Sequence, residues 1–178
     1  MTLLQQLWEL AERETQKRGK HSYGHFYGLA LYNVKNLKNE GYDSTPINST
    51  TFGGTGGDGV HFGLLHIDGA ITDSSPVIMT VPMNFDRLNL VVGEDLIEFL
   101  RLGCDVGYFD LEQLSYNFGR LPLINRITNR QSELDDEQQE SLKILRDEFN
   151  LKPWTNVEAR LDELDKQYLP LLQLKEDS

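Results

Sequence analysis

The chain is poor in cysteine, in long apolar runs and in basic residues, and each shortage excludes something. Cys104 is its one cysteine, so no internal disulfide can form and a reducing compartment is expected. No stretch approaches the roughly 18 uncharged apolar residues needed to span a bilayer, because Gly, Asp or Pro interrupts every apolar run. The opening MTLLQQLWELAERETQKRGK has no basic head, apolar stretch or small-residue cleavage site, and does not read as a secretory signal. These features together lead us to expect a soluble, cytoplasmic protein with no membrane partner. The 17 Lys and Arg face 28 Asp and Glu, a formal net charge of -11. Phosphate backbones repel such a chain, so nucleic acid is not an expected ligand and any macromolecular partner should be basic.

With 178 residues, 39% of them hydrophobic, the chain can bury a core as one unit without disulfides or a structural metal. The expected organisation is a single domain over 1–178, with an α+β core over 1–130 and an acidic helical extension over 131–178 packed on it. That extension holds 13 Asp and Glu against 6 Lys and Arg, which fits solvated helix faces.

Leu3, Leu4, Leu7, Trp8, Leu10 and Ala11 recur at helical spacing and predict an amphipathic helix that Gly19 ends. The following HSYGHFYGLALYNV is aromatic and broken by glycine, and reads equally as a strand or as a second helix start. Two apolar runs, VHFGLLHI at 60–67 and PVIMTVPM at 76–83, predict strands joined through a turn at Asp68-Gly69. A third strand is predicted over Leu88–Val92. Leu96, Ile97, Phe99 and Leu100 then mark a helix, with Gly103 suited to its C-terminal cap. Asp110 and Gln113 suggest a cap for a short helix that Gly119 closes, with Pro122 barring continuation. Ser132 is the expected cap of the next helix, and Thr155-x-x-Glu158 reads as a capping box for the last. Leu142, Leu145, Phe149, Val157, Leu161, Leu164 and Leu169 should dock this pair on the body.

The segment from Gly53 to Gly59 places five glycines in seven residues and contains a literal G-x-G-x-x-G at Gly54, Gly56 and Gly59. In dinucleotide-binding folds that pattern opens a helix; here it opens a strand, and no Lys-Ser/Thr pair follows to make a phosphate loop. A tight structural turn is the expected role. His61 and His66 lie five apart, on opposite faces of a straight strand, so they should not share a metal. His21 and His25 stand four apart without an accompanying glutamate or third ligand. Cys104 has Asp105 beside it and no activating cation in sequence, as a buried inert thiol would. Trp8 and Trp154 read as helix-docking residues. No catalytic set, cofactor or metal site is expected.

The order of a glycine-rich turn with GGDG, a strand, a hairpin, the strand PVIMTVPM and then VVGEDLIEFLRLG resembles the SUKH superfamily (SMI1/KNR4-like), across roughly residues 47–115. Members of that superfamily include a yeast cell-wall regulator and many bacterial toxin-immunity proteins. The helix that follows the later strands is matched here by Asp95-Leu96-Ile97-Glu98-Phe99-Leu100. The resemblance implies an antiparallel or mixed sheet packed against helices, to which the C-terminal helical pair is additional. It also implies a non-catalytic module that binds a toxin domain and blocks it. An acidic surface suits that role, because opposite charge speeds association with the basic cleft of a nuclease toxin.

The leading expectation is therefore a protein-binding module of the immunity type. A regulatory or scaffold protein that uses the acidic helical pair is the alternative, and a hydrolase using His61 or His66 with Asp58 ranks below both. For a partner surface the turn and loop acids Asp58, Asp68, Asp73 and Asp86 are the candidates, foremost those near the glycine-rich turn.

Overall fold

The computed structural model describes residues 1–19 and 24–175, so the expectation for His21 lies outside the described residues. Helix α1 spans Leu3–Arg18 and is started by Thr2, whose hydroxyl accepts from the Gln5 amide while the Gln5 side chain accepts from Thr2 N–H. Its buried stripe is Leu4, Leu7, Leu10 and Ala11. The ambiguous aromatic segment ends in a two-residue strand, β1 at Ala30–Leu31.

Strands β2 (Ser49–Gly54), β3 (His61–Leu65), β4 (Val77–Thr80) and β5 (Asn89–Gly93) follow. They join β1 in one sheet of order β1-β2-β3-β4-β5, antiparallel at every pairing. Strand β2 was not foreseen: its sequence STTFGG carries one large apolar residue, Phe52, among turn-type residues, and pairing on both sides overrides that weak local signal. β3, β4 and β5 are buried at every position, so both sheet faces are covered. This explains why they read as continuous apolar runs rather than alternating ones.

The Asp68-Gly69 turn forms as expected. Both residues have positive φ, 52° and 79°, and Ile67 and Ala70 exchange backbone hydrogen bonds across it, the arrangement of a two-residue primed hairpin turn. It lies early in the β3–β4 connection, with residues 71–76 following before β4, rather than joining the strands directly.

Helix α2 (Leu96–Gly103) is capped by Asp95, which accepts from Glu98 N–H at 2.7 Å. Gly103 is not its left-handed cap. It is the last helical residue, and a Cβ there would lie 2.5 Å from the Tyr108 ring; glycine is present for close packing, and the positive φ falls at Gly107. A 3-10 helix occupies Phe109–Ser115. Asp110 caps nothing there and pairs instead with Arg126 at 3.0 Å.

Helix α3, Asn117–Thr128, runs through both Gly119 and Pro122, contrary to the predicted stop. Pro122 is exposed, so the carbonyl that loses its helical partner lies on the solvent side, where water can serve it. Helix α4 (Asp136–Phe149) is capped by Asp135 with Gln138 in a capping box, not by Ser132. Helix α5 (Val157–Tyr168) starts after Asn156 with no side-chain cap, so the predicted Thr155-x-x-Glu158 box is absent.

The core is one cluster. Phe99 of α2 meets Phe52 and Phe62 of the sheet at ring separations of 5.8 and 4.8 Å, and Tyr108 at 5.2 Å. Leu142, Leu145, Leu161 and Leu164 of α4 and α5 belong to the same cluster. Beyond the apolar contact, Val91 N–H on the outer edge of β5 donates to Asp165 of α5 at 2.9 Å, so this helix satisfies a strand edge that would otherwise be open to pairing. Among the described residues no helix is long and apolar enough to cross a membrane.

Candidate functional site

The register fixes which loops meet. Gly54, His61, Thr80 and Asn89 align across β2 to β5, so the glycine-rich turn at 55–60 and the loop at 81–88 leave the sheet at the same end. Ser49, Leu65, Val77 and Gly93 mark the other end. The four candidate acids are thereby divided. Asp58 and Asp86 stand at the first end, and Asp68 and Asp73 at the opposite one. Asp73 has a structural task there, accepting from Leu3 N–H at 2.9 Å beside the start of α1, where the helix dipole favours a carboxylate.

At the first end, Asn84 donates through Nδ2 to the Ser115 carbonyl at 2.7 Å and to its hydroxyl at 2.9 Å. This buried clasp holds the 81–88 loop against the start of α3. Met83 and Phe85 flank Asn84 in the chain, and Tyr116 follows Ser115 directly, at the start of the helix that carries Phe118 and Leu121. Phe85 is 89% exposed, Phe118 79%, Met83 65% and Leu121 55%. Tyr116 and Phe118 stack at 5.7 Å, and Phe118 and Leu121 are three apart on one helix face. Large apolar side chains scattered singly on a surface are ordinary, whereas several held together are a mark of an interaction site.

Carboxylates stand near Tyr116. Glu112 and Asp58 repel one another: the Glu112 carboxyl is raised above its usual range first by burial and then by the negative charge of Asp58. The same two charges add to the effect of burial in raising the Tyr116 hydroxyl. Among the described residues no cation is paired with Glu40, Asp58, Asp86 or Glu112. Elsewhere several acids are held by cations. Arg160 binds Glu94, Glu98 and Glu163, Arg146 binds Asp105, Arg126 binds Asp110, and Arg120 binds Asp162. Several acids of the C-terminal helical pair are thus neutralised internally, while those around the glycine-rich turn are not.

The turn itself borders a cleft of about 240 Å³ lined by Tyr32, Glu40, Tyr42, Gly56, Gly57, Asp58, Gly59 and Val60. No helix begins at the turn, so the helix N-terminus that would hold a pyrophosphate is missing, and the acids at the rim disfavour any phosphate.

The histidines serve the scaffold. His61 is 2% exposed; its Nδ1 donates to the Gly59 carbonyl at 2.7 Å, which leaves Nε2 to accept from the Thr45 hydroxyl at 3.0 Å. Burial accordingly lowers its pKa, outweighing the opposing pull of Gly59 and Glu40. Nε2 of His66 meets the Thr50 hydroxyl at 2.8 Å. Among the described residues neither imidazole is bonded to Asp58. His25 uses Nδ1 to accept from Leu31 N–H on the edge strand β1. Cys104 is fully buried, with its thiol pushed up to about 12, first by burial and then by Asp105. Trp154 donates to the Glu98 carbonyl at 2.8 Å, and Trp8 meets His25 edge-on at 5.6 Å.

The residues that sequence reasoning missed are Glu40, Met83, Phe85, Glu112, Phe118 and Leu121. A signal existed for two of them. Phe85 sits in Asn-Phe-Asp and Phe118 in Asn-Phe-Gly, aromatics flanked by polar or turn residues and out of step with any buried period. Comparison of the chain with protein-family models, with curated proteins and with solved structures returns no match.

Proposed function

We propose that the chain is a non-catalytic protein-binding module of the immunity type, working in the cytoplasm, which captures a basic toxin domain through the end of the sheet that carries the glycine-rich turn. The observation that carries this reading is the exposure of Met83, Phe85, Phe118 and Leu121 on two segments that Asn84 and Ser115 clasp together, with Asp58 and Glu112 acting on Tyr116 between them in sequence. Interfaces combine apolar anchors that supply affinity with charges that steer the approach. Exposed apolar residues and nearby acids, on a chain of net charge -11, select a basic partner and repel a second copy of the chain. The SUKH-like order of motifs over roughly residues 47–115 points to the same class of activity.

The test uses a purified basic toxin domain encoded beside this protein. Sub-micromolar binding with loss of toxin activity is the expected result, and absence of binding at low salt would remove the reading.

A further inference from the structure

We propose that the cleft between the glycine-rich turn and the 32–42 segment is a socket for one arginine side chain of the partner, an inference that rests on the protein-binding reading above. Four features converge on a planar cation. The cleft has room for roughly eight water volumes at about 30 Å³ each, its volume being about 240 Å³, which suits a guanidinium and the end of its stem. Two tyrosines, Tyr32 and Tyr42, line it, and aromatic faces attract guanidinium both as a cation and as a stacking partner.

Those walls are set before any ligand arrives. Tyr42 stacks on the buried His61 ring at 5.8 Å and 17°, and its hydroxyl occupies the space that a side chain at Gly59 would need. Tyr32 donates its hydroxyl to Glu40 Oε1 at 2.7 Å. That bond orients the carboxylate and leaves its second oxygen without a protein donor among the described residues. Asp58 lines the same cleft from the turn, also without a donor among the described residues. The Gly56 position, which also lines the cleft, is open, with nothing within 4 Å of where its Cβ would be. An ammonium could enter, but it lacks the plane to stack on a ring and the fork to pair bidentately with a carboxylate.

The test is a titration of the full chain at low salt, followed by the backbone amide resonances of the turn. The probes are N-acetyl-arginine methylamide, its lysine counterpart and its neutral citrulline counterpart. The arginine probe should shift Gly56, Asp58 and Gly59 and should bind more tightly than the lysine probe. The double variant E40Q/D58N should weaken it about tenfold or more. Both substitutions preserve shape: the glutamine that replaces Glu40 keeps an acceptor for Tyr32, and asparagine tolerates the positive φ of 48° at position 58 better than most residues. Equal shifts from citrulline, or arginine binding unchanged in the double variant, would overturn the socket. If the arginine probe binds as described while no basic toxin domain is captured, the socket stands and the immunity reading falls. Toxin capture that is unchanged in E40Q/D58N overturns the socket and leaves the immunity reading in place.

Discussion

At position 61 a histidine is held neutral by one carbonyl and one hydroxyl, and its titration should be visible in the stability of the fold. Because burial lowers its pKa from 6.5, the unfolded chain binds a proton that the folded chain refuses in the interval below 6.5. Stability from this group is complete above 6.5 and declines as pH falls through that interval. Urea unfolding at about pH 7.5 and pH 5.5 should show the decline, and a His61→Gln variant should flatten it; an equal slope in the variant would place the titration elsewhere. Glu112 carries the opposite sign. Its raised pKa means that the folded chain holds the proton more readily than the unfolded one, so the ionised carboxylate costs stability at neutral pH and acidification relieves the cost. Glu112→Gln should therefore raise the midpoint of thermal unfolding near pH 7, with the gain fading as pH falls through the raised range and gone below the ordinary value of 4.5. A carboxylate retained at the expense of stability is what a binding surface, rather than a scaffold, would keep. Gly103 supplies the packing counterpart. With the Tyr108 ring 2.5 Å from an ideal Cβ, Gly103→Ala should cost about 1–3 kcal/mol in chemical denaturation.

The elements differ in how far their sequences announce them. Helix α1, helix α2, the Asp68-Gly69 turn and the strands β3 to β5 were legible, because an apolar period or a turn pair coincided with a cap. β2 and the course of α3 were not. Thr50, Thr51 and Gly53 have no strand pattern until neighbours pair with them on both sides, and Pro122 stops a helix only where the lost hydrogen bond cannot be replaced by water. Helix starts were displaced by one to three residues because Ser132 and Thr155 compete with Asp135 and Asn156 for the same task, and local sequence does not say which backbone turn forms first. The structure decides this measurably. Asp135→Ala should destabilise by about 1 kcal/mol, whereas Ser132→Ala and Thr155→Ala should leave thermal unfolding nearly unchanged. Pro122→Ala should stabilise, by up to about 3 kcal/mol less whatever the unfolded chain gains in freedom.

For the molecule as a whole, the candidate site depends on long-range geometry that no single segment encodes. The four candidate acids were legible as turn and loop residues, but their division into two ends follows only from the sheet register. The clasp between Asn84 and Ser115, 31 positions apart, joins the loop that carries Met83 and Phe85 to the segment that leads into α3. The C-terminal helices are integral to that body: their leucines share its core cluster, and Arg160 ties α5 to Glu94 and Glu98. The central claim, that the acidic and apolar end of the sheet docks a basic protein, is tested most directly by the affinity of a purified basic toxin domain for three forms of the chain across a salt series. These are the native chain, F85S/F118S and D58N/D86N. The aromatic pair should cost about a hundredfold or more at every salt concentration, as buried anchors do, while the acid pair should slow association chiefly at low salt. Equal affinity of all three forms would contradict the claim.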